Sequence, residues 1–228
     1  YFNDISLQVH EGEILGIGGL VGAGRTELLR SIFGVDPITA GEVLYLESPL
    51  SRSIRQNIKS GIGFISEDRR SEGFIPQLSV EQNAEMINFR AVSRFGVLSR
   101  RKERARAKKM IEEVNLHPAD PKYKVCNFSG GNQQKIVVGK WLVHNCRLLL
   151  IDEPTVGVDV GAKSEIYKMI EDMAANGAAV LLVSSDNEEL ARVATRILIM
   201  RHGNIVGEFN SGMPDRQEIT MTASGLNK

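Results

Sequence analysis

Short apolar runs alternate along this chain with stretches at helical spacing. EILGIGGL, from Glu13 to Leu20, is apolar and ends in glycines, which predicts a buried strand. RTELLRSIF, from Arg25 to Phe33, follows with helical periodicity and is stopped by Gly34 and Pro37. GEVLYLE (Gly41 to Glu47) alternates as a strand does, GIGFISE (Gly61 to Glu67) is another apolar strand, and the opening YFNDISLQV also reads as a strand. From Ser79 to about Leu116 the chain turns polar and mostly helical; SRRKERARAKKMIEEV is a helix with a charged face, and Pro118 and Pro121 close the region. SGGNQQKIVVGKWLV (Ser129 to Val143) is a loop opening a helix, and RLLLIDEP (Arg147 to Pro154) is a core strand. GAKSEIYKMIEDMAANG is a helix ended by Gly177, AAVLLVSS (Ala178 to Ser185) is the next strand, and RILIMRHGNIVGEF is a hairpin turning at His202-Gly203-Asn204. The stretch after Ser211 is polar and expected to be mobile. Strands alternating with helices predict a parallel α/β sheet with a helical insertion in the middle.

Composition narrows this only a little. The 228 residues suffice for a real core, as one domain or a domain with an insertion. Lys+Arg and Asp+Glu balance at 28 each, so no net charge draws the chain to nucleic acid or an anionic membrane. Cys126 and Cys146 make no disulfide framework, which fits a reducing compartment, and each reads as a buried small apolar residue. Apolar runs such as Leu148 to Ile151 fall far below the roughly 18 residues of a membrane-spanning helix. The chain lacks an initial Met and opens on an apparent strand, so it is expected to be a piece of a longer polypeptide.

Three stretches carry chemistry. GGLVGAGRTELL (Gly18 to Leu29) has the layout of a phosphate loop, G-x-x-x-x-G-K-[ST], with Arg25 where lysine is usual. It follows a predicted strand and opens a predicted helix. Glycines let the backbone approach phosphate, and the helix N-terminus adds partial positive charge. Gly19, Gly22, Ala23, Gly24, Arg25 and Thr26 are the nucleotide-binding candidates, with the Thr26 hydroxyl offered to Mg²⁺. A glycine-rich turn without a ligand is the bland alternative. LLLIDEP delivers Asp152 and Glu153 to the carboxyl edge of a strand, where Asp152 would hold Mg²⁺ through water and Glu153 could act as general base. A surface carboxylate pair is its alternative. In NFSGGNQQK, Ser129 can cap the helix beginning near Asn132 while Gly130 and Gly131 expose backbone N–H groups; an ordinary N-cap with glycines is equally consistent.

With all three motifs in this order, the chain resembles, over essentially its whole length, the ATP-binding subunit of ABC transporters. GLVGAGRT matches the Walker A loop, SGGNQQK the family signature and LLLIDEP the Walker B strand. Together with GFISEDRRSEGF, DEPTVGVDVGAKSEIY and LLVSSDNEEL they look like the second half of the importers of monosaccharides such as ribose, galactose, arabinose and xylose, in which one chain carries two ATP-binding halves. The resemblance implies a P-loop NTPase fold: a RecA-like parallel core with an antiparallel β subdomain and a helical insertion. It divides the chain at 1–78 (core with the β subdomain), 79–128 (helical subdomain), 129–211 (signature helix and rest of the core) and 212–228 (polar tail). It implies ATP and Mg²⁺ as ligands. The expected partners are an N-terminal ATP-binding half, membrane permease subunits and, indirectly, a periplasmic sugar-binding protein, on the cytoplasmic side of the membrane.

In that family two such domains pair head to tail, each ATP lying between one Walker A loop and the other signature. Here the signature candidates are Ser129, Gly130, Gly131 and Gln133, and Asp159 matches the loop that crosses between paired domains, with a helix N-cap as its alternative. Three positions depart from the pattern. Arg25 replaces Lys, Glu67 stands at the family's Gln, and Ser185 stands at its His. Glu153, Ser185 and Glu67 are therefore catalytic candidates of an impaired site, while the signature is intact. The family's adenine-stacking aromatic falls at or before Tyr1. A soluble ABC-type ATPase of DNA repair or translation, and a regulatory module that holds ATP without hydrolysing it, are the competing classes. His10, His117, His144 and His202 show no metal-ligand spacing. The basic run Arg100 to Lys109 reads as a solvated helix face, with contact to the membrane subunit, implied by the likeness to the family's helical subdomain, as its alternative and no interleaved aromatics to suggest nucleic acid.

Overall fold

A computed structural model describes residues 2–94, 97–210 and 216–225. Its elements are, in order, β1 (Ile14–Gly19), α1 (Arg25–Phe33), β2 (Leu44–Tyr45), β3 (Ser48–Pro49), α2 (Ile54–Lys59), β4 (Ile62–Ile65), a π-helical turn (Arg69–Gly73), α3 (Val80–Ala84), α4 (Phe89–Val92), β5 (Ser93–Arg94) and β6 (Val97–Leu98). There follow α5 (Arg100–Glu113), a 3-10 turn (Val125–Asn127), α6 (Gly130–Leu142), β7 (Leu148–Asp152), α7 (Val160–Ala175), β8 (Ala179–Val183), α8 (Asn187–Val193), β9 (Arg196–Arg201), β10 (Asn204–Asn210) and α9 (Arg216–Ser224). They fall into two compact units: 1–64, 147–153 and 173–228 form the first, and 65–146 with 154–172 the second.

The first unit is built on a six-stranded sheet in the order β10-β9-β1-β8-β7-β4. β1 runs parallel to both β8 and β9, and β7 runs parallel to β8, with Leu148 to Asp152 beside Ala179 to Val183. Continuous apolar strands of this kind need cover on both faces. Leu15, Ile17, Leu150, Leu181 and Val183 bury against Leu28, Leu29 and Phe33 of α1. Each such side chain contributes about 1.5–3 kcal/mol on burial. The β9–β10 hairpin turns through His202 and Gly203, both at positive φ, as a tight two-residue turn requires.

Several local expectations give way to tertiary context. No strand pairs residues 2–10, and Gly41 to Glu47 yields only the two-residue β2, paired with β3. Leu46 and Glu47 take left-handed conformations there, turning the chain before the alternation can extend. The polar helical region contains the short β5–β6 hairpin. Cys146 is buried as expected, whereas Cys126 is exposed, against the expectation. Part of the tail is helical: Ile219 and Ala223, four residues apart, bury one stripe of α9. Tyr1 and the remainder of the tail, 211–215 and 226–228, lie outside the described residues. The helical unit also begins earlier than residue 79 and takes in α6. Among the described residues, no helix is long and apolar enough to cross a membrane.

The second unit packs α3, α5 and α6 together. Its interior holds a polar knot. Arg106 donates to Glu85 at 2.7 Å, to the Val143 carbonyl at 3.0 Å and meets His144 Nδ1 at 3.0 Å. Glu85 is wholly buried, which raises its pKa against the lowering influence of Arg106. Burial, and then the charge of Arg106, lower the pKa of His144. The unfolded chain therefore takes up the His144 proton first. The stability this residue supports is present above its unfolded pKa of about 6.5 and is lost as pH falls through the folded value. Glu85 acts in the opposite sense, since proton uptake by a raised folded carboxyl favours the folded state as pH falls. Chemical unfolding followed from pH 7.5 to 5.5 should show a loss of stability that His144→Gln flattens; an unchanged slope in the variant would assign the loss elsewhere.

Candidate functional site

Three strand ends lie side by side in the first unit, and each delivers a motif. The Ser184 N–H donates to the Ile17 carbonyl at 3.3 Å, and the Glu153 N–H to the Val183 carbonyl at 3.0 Å. The ends of β1, β8 and β7 are thereby in register, with the 20–24 loop, Ser184–Ser185 and Asp152–Glu153 beyond them. Ligands of open α/β sheets collect at this carboxyl edge.

The loop has a reason for its glycines. A Cβ on Gly19 would fall 2.2 Å from the Met200 carbonyl, so β9 can lie alongside only a glycine. Gly22 has φ 81° and open space where a Cβ would point. Gly24, at φ 96°, precedes α1 and supplies no side-chain cap. Ala23 is buried beneath the loop and Thr26 is half-buried one residue into the helix. The first amides of α1 are thus left without a capping side chain, as a helix start that receives an anion requires.

Arg25 does not extend from this loop into solvent. Its guanidinium is buried, donates through Nη1 to the Ser184 carbonyl at 2.5 Å, and brings Nη2 to 3.8 Å from Glu153 Oε1. The Ser185 hydroxyl donates to the other carboxylate oxygen, Oε2, at 3.1 Å. Arg25, Glu153 and Ser185 therefore form one cluster, with Asp152 buried beside Glu153 at the end of β7. Glu153 has φ 49°, a left-handed backbone that a non-glycine residue holds at a cost of roughly 1–3 kcal/mol. Nothing in the sequence singles out Ser184. Its carbonyl takes the Arg25 fork, while its hydroxyl donates to Glu189 at 2.5 Å and accepts from the Asp186 N–H at 3.0 Å. No motif marked it, because its backbone rather than its side chain meets Arg25.

In the second unit, Ser129 caps α6 by accepting from the Asn132 N–H at 3.4 Å. A Cβ on Gly131 would fall 2.5 Å from the Ala162 Cβ and 3.3 Å from Asp159 Oδ2. The loop bearing Asp159 packs directly against the start of α6. Asp159 also accepts from the Ala162 N–H at 3.0 Å, the plain N-cap role for α7. Gln133 turns inward, its amide donating to the Val125 and Phe128 carbonyls. Glu67 is exposed, two residues beyond β4. Among the described residues no cluster of three or more His, Cys, Asp or Glu could hold a metal by itself.

The sequence profile of the ABC transporter family matches residues 2–156. This chain belongs to that family. It is 46% identical over 209 residues to the ribose import ATP-binding protein RbsA of Corynebacterium glutamicum, covering 91% of this chain and 40% of the relative. It is 41% identical over 211 residues to ribose import ATP-binding protein RbsA 2 of Streptomyces coelicolor, covering 92% of this chain and 41% of that one. The chain thus spans less than half the length of the curated relatives it matches. Its fold is that of an ABC ATPase cassette. An ATP-binding cassette solved as a dimer in a post-hydrolysis state, bound to ADP and Pi, superposes with a TM-score of 0.79 at 25% identity, over 92% of this chain and 90% of that one.

Proposed function

We propose that this chain is an ATP-binding half of a monosaccharide importer. It pairs with a second ATP-binding half, the N-terminal half of the same longer polypeptide, on the cytoplasmic face of the membrane beside permease subunits served by a sugar-binding protein. The names of the relatives at 41–46% identity support the sugar importer. The carrying observation for the division of labour is the Arg25 cluster. A general base must turn a carboxylate oxygen towards water, but Glu153 has one oxygen beside Arg25 and the other under the Ser185 hydroxyl. The positive fork that would reach phosphate is itself committed to the Ser184 carbonyl. This site binds nucleotide and turns it over poorly, while the signature at Ser129, Gly130 and Gly131 serves the ATP held by the other half. Exposed apolar side chains near both motifs, Leu20 and Val21 in one unit and Val156 and Val160 in the other, suit surfaces that a partner covers.

The donor set fits a magnesium nucleotide. The uncapped amides of α1 and the glycine turn suit phosphate, and the Thr26 hydroxyl with the Asp152 carboxylate supplies the hard oxygen donors that would hold Mg²⁺. Bound Mg²⁺ neutralises charge on the phosphate oxygens. Calorimetry of this chain with ATP and Mg²⁺ at millimolar ligand should record weak binding that Thr26→Ala combined with Asp152→Asn removes. Identical heats from the two proteins would place any nucleotide elsewhere.

A further inference from the structure

Between β4 and α3 the sequence EDRRSEG places two cations in the second unit that the proposed function leaves without a role. It folds as the π-helical turn Arg69–Gly73, capped by Asp68, whose carboxylate accepts from the Arg70 N–H at 3.1 Å and the Ser71 N–H at 3.2 Å. Each end of the turn sends or receives a charged contact. At its start, Arg69 Nη1 donates to the Val156 carbonyl at 2.6 Å and Nη2 to the Gly157 carbonyl at 3.1 Å. At its end, the Gly73 carbonyl accepts from Lys140 Nζ of α6 at 2.5 Å, and a Cβ on Gly73 would already lie 3.0 Å from Val137 of the same helix. The turn is therefore fastened to α6 at one end and to the 156–157 loop at the other.

The Arg69 contact has a particular location. A Cβ on Gly130, the first residue of α6, would fall 3.0 Å from Arg69 Nη2 and 3.1 Å from the Gly157 carbonyl. The guanidinium thus lies against the opening of the signature helix while it grips the loop leading to Asp159, which in turn abuts Gly131. Both acceptors are neutral carbonyls on an exposed turn: Val156 is 45% exposed and Gly157 sits at φ 67°. A planar fork spanning two successive carbonyls fixes the direction of that turn, which a single ammonium cannot do. Core formation does not require an exposed glycine turn to be held in this way.

We propose that Arg69 is a positioning residue that locks the Val156–Gly157 turn against the start of α6 and so sets the mutual placement of Gly130, Gly131 and Asp159 for closure over nucleotide held by the partner half. The inference rests on the proposed role of the signature. It assigns Arg69 no contact with substrate.

The test uses the full two-half chain with its permease in vesicles, measuring ATP turnover, KM for ATP and the thermal midpoint. Arg69→Gln should lower kcat by about tenfold to a hundredfold, the scale of a displaced catalytic element, with KM and Tm close to those of the unaltered protein. Arg69→Lys should recover only part of that loss. Gly157→Ala strains the turn at its positive φ without altering Arg69, and should lower kcat in the same way, which keeps the test open should Arg69→Gln fold poorly. Gly130→Asp serves as the reference. If Gly130→Asp stops turnover while Arg69→Gln and Gly157→Ala leave kcat unchanged, Arg69 has no positioning role. A kcat loss that only follows a fall in Tm, with Gly157→Ala silent, also overturns the inference. If Gly130→Asp itself has no effect, the reading of the signature fails first.

Discussion

In the full two-half chain with its permease in vesicles, Gly130→Asp is expected to abolish sugar uptake, whereas Arg25→Ala should leave most of it. Gly130 opens α6, where backbone N–H groups and the helix start favour an anion. A carboxylate there opposes phosphate directly. The Cβ of that side chain would also fall 3.0 Å from Arg69 Nη2 and 3.1 Å from the Gly157 carbonyl, so the new carboxylate, attached one bond further out, would compete with those carbonyls for the guanidinium. Losing one donor of this type from a closed, water-poor site costs about 3 kcal/mol in the transition state, on the order of a hundredfold in rate. Arg25→Ala removes a fork that is committed within its own unit to the Ser184 carbonyl and to Glu153. The local structure loses a buried contact, but under the proposed division of labour the site completed by the signature loses nothing. Uptake that stops with Arg25→Ala and persists with Gly130→Asp would reverse the assignment of the two sites.

The contrast between these residues explains what was legible in the sequence. Glycines at 19, 22 and 24 between an apolar run and a helical one specify a turn wherever they occur, because the backbone conformations they adopt exclude a Cβ. The buried strands Leu148–Asp152 and Ala179–Val183 were equally plain, since parallel strands covered on both faces read as continuous apolar runs. The direction of Arg25 was not legible. An arginine at this position could face solvent, phosphate or the sheet edge, and the choice depends on the Ser184 carbonyl, which lies 159 positions away in the chain. Backbone acceptors carry no residue signature, so the roles of Ser184, Val156 and Gly157 could not be found by motif. Gln133 shows the converse: its place in the signature suggested an outward role, yet its amide satisfies the Val125 and Phe128 carbonyls below α6. Buried backbone carbonyls must find donors, and a glutamine one turn into the helix supplies two of them. At 2–10 and 41–47, alternation alone could not say whether a neighbouring strand was available to pair.

This chain alone should hydrolyse ATP at well below the roughly 1 s⁻¹ of a working transport ATPase, and Arg25→Lys alone should not restore it. Lysine returns a compact, rotatable ammonium to the loop and removes the planar fork that spans Ser184 and Glu153. That change removes the guanidinium that stands 3.8 Å from one oxygen of Glu153. The other still accepts from Ser185 at 3.1 Å, and Ser185 is too short to present an imidazole to a γ-phosphate. Glu67 adds a negative charge where the resemblance places a neutral amide. On the proposed reading each departure removes part of one unit of function, and residues that act together do not restore activity one at a time. The combination Arg25→Lys, Glu67→Gln and Ser185→His is therefore the informative variant, measured by single-turnover hydrolysis in the full-length polypeptide with the phosphate loop of the proposed second half disabled. Single-turnover rates should stay near background for Arg25→Lys and rise only in the triple variant. Hydrolysis by this chain alone at about 1 s⁻¹ or faster, or full recovery from Arg25→Lys by itself, would show that the Arg25–Glu153–Ser185 cluster does not restrain the site.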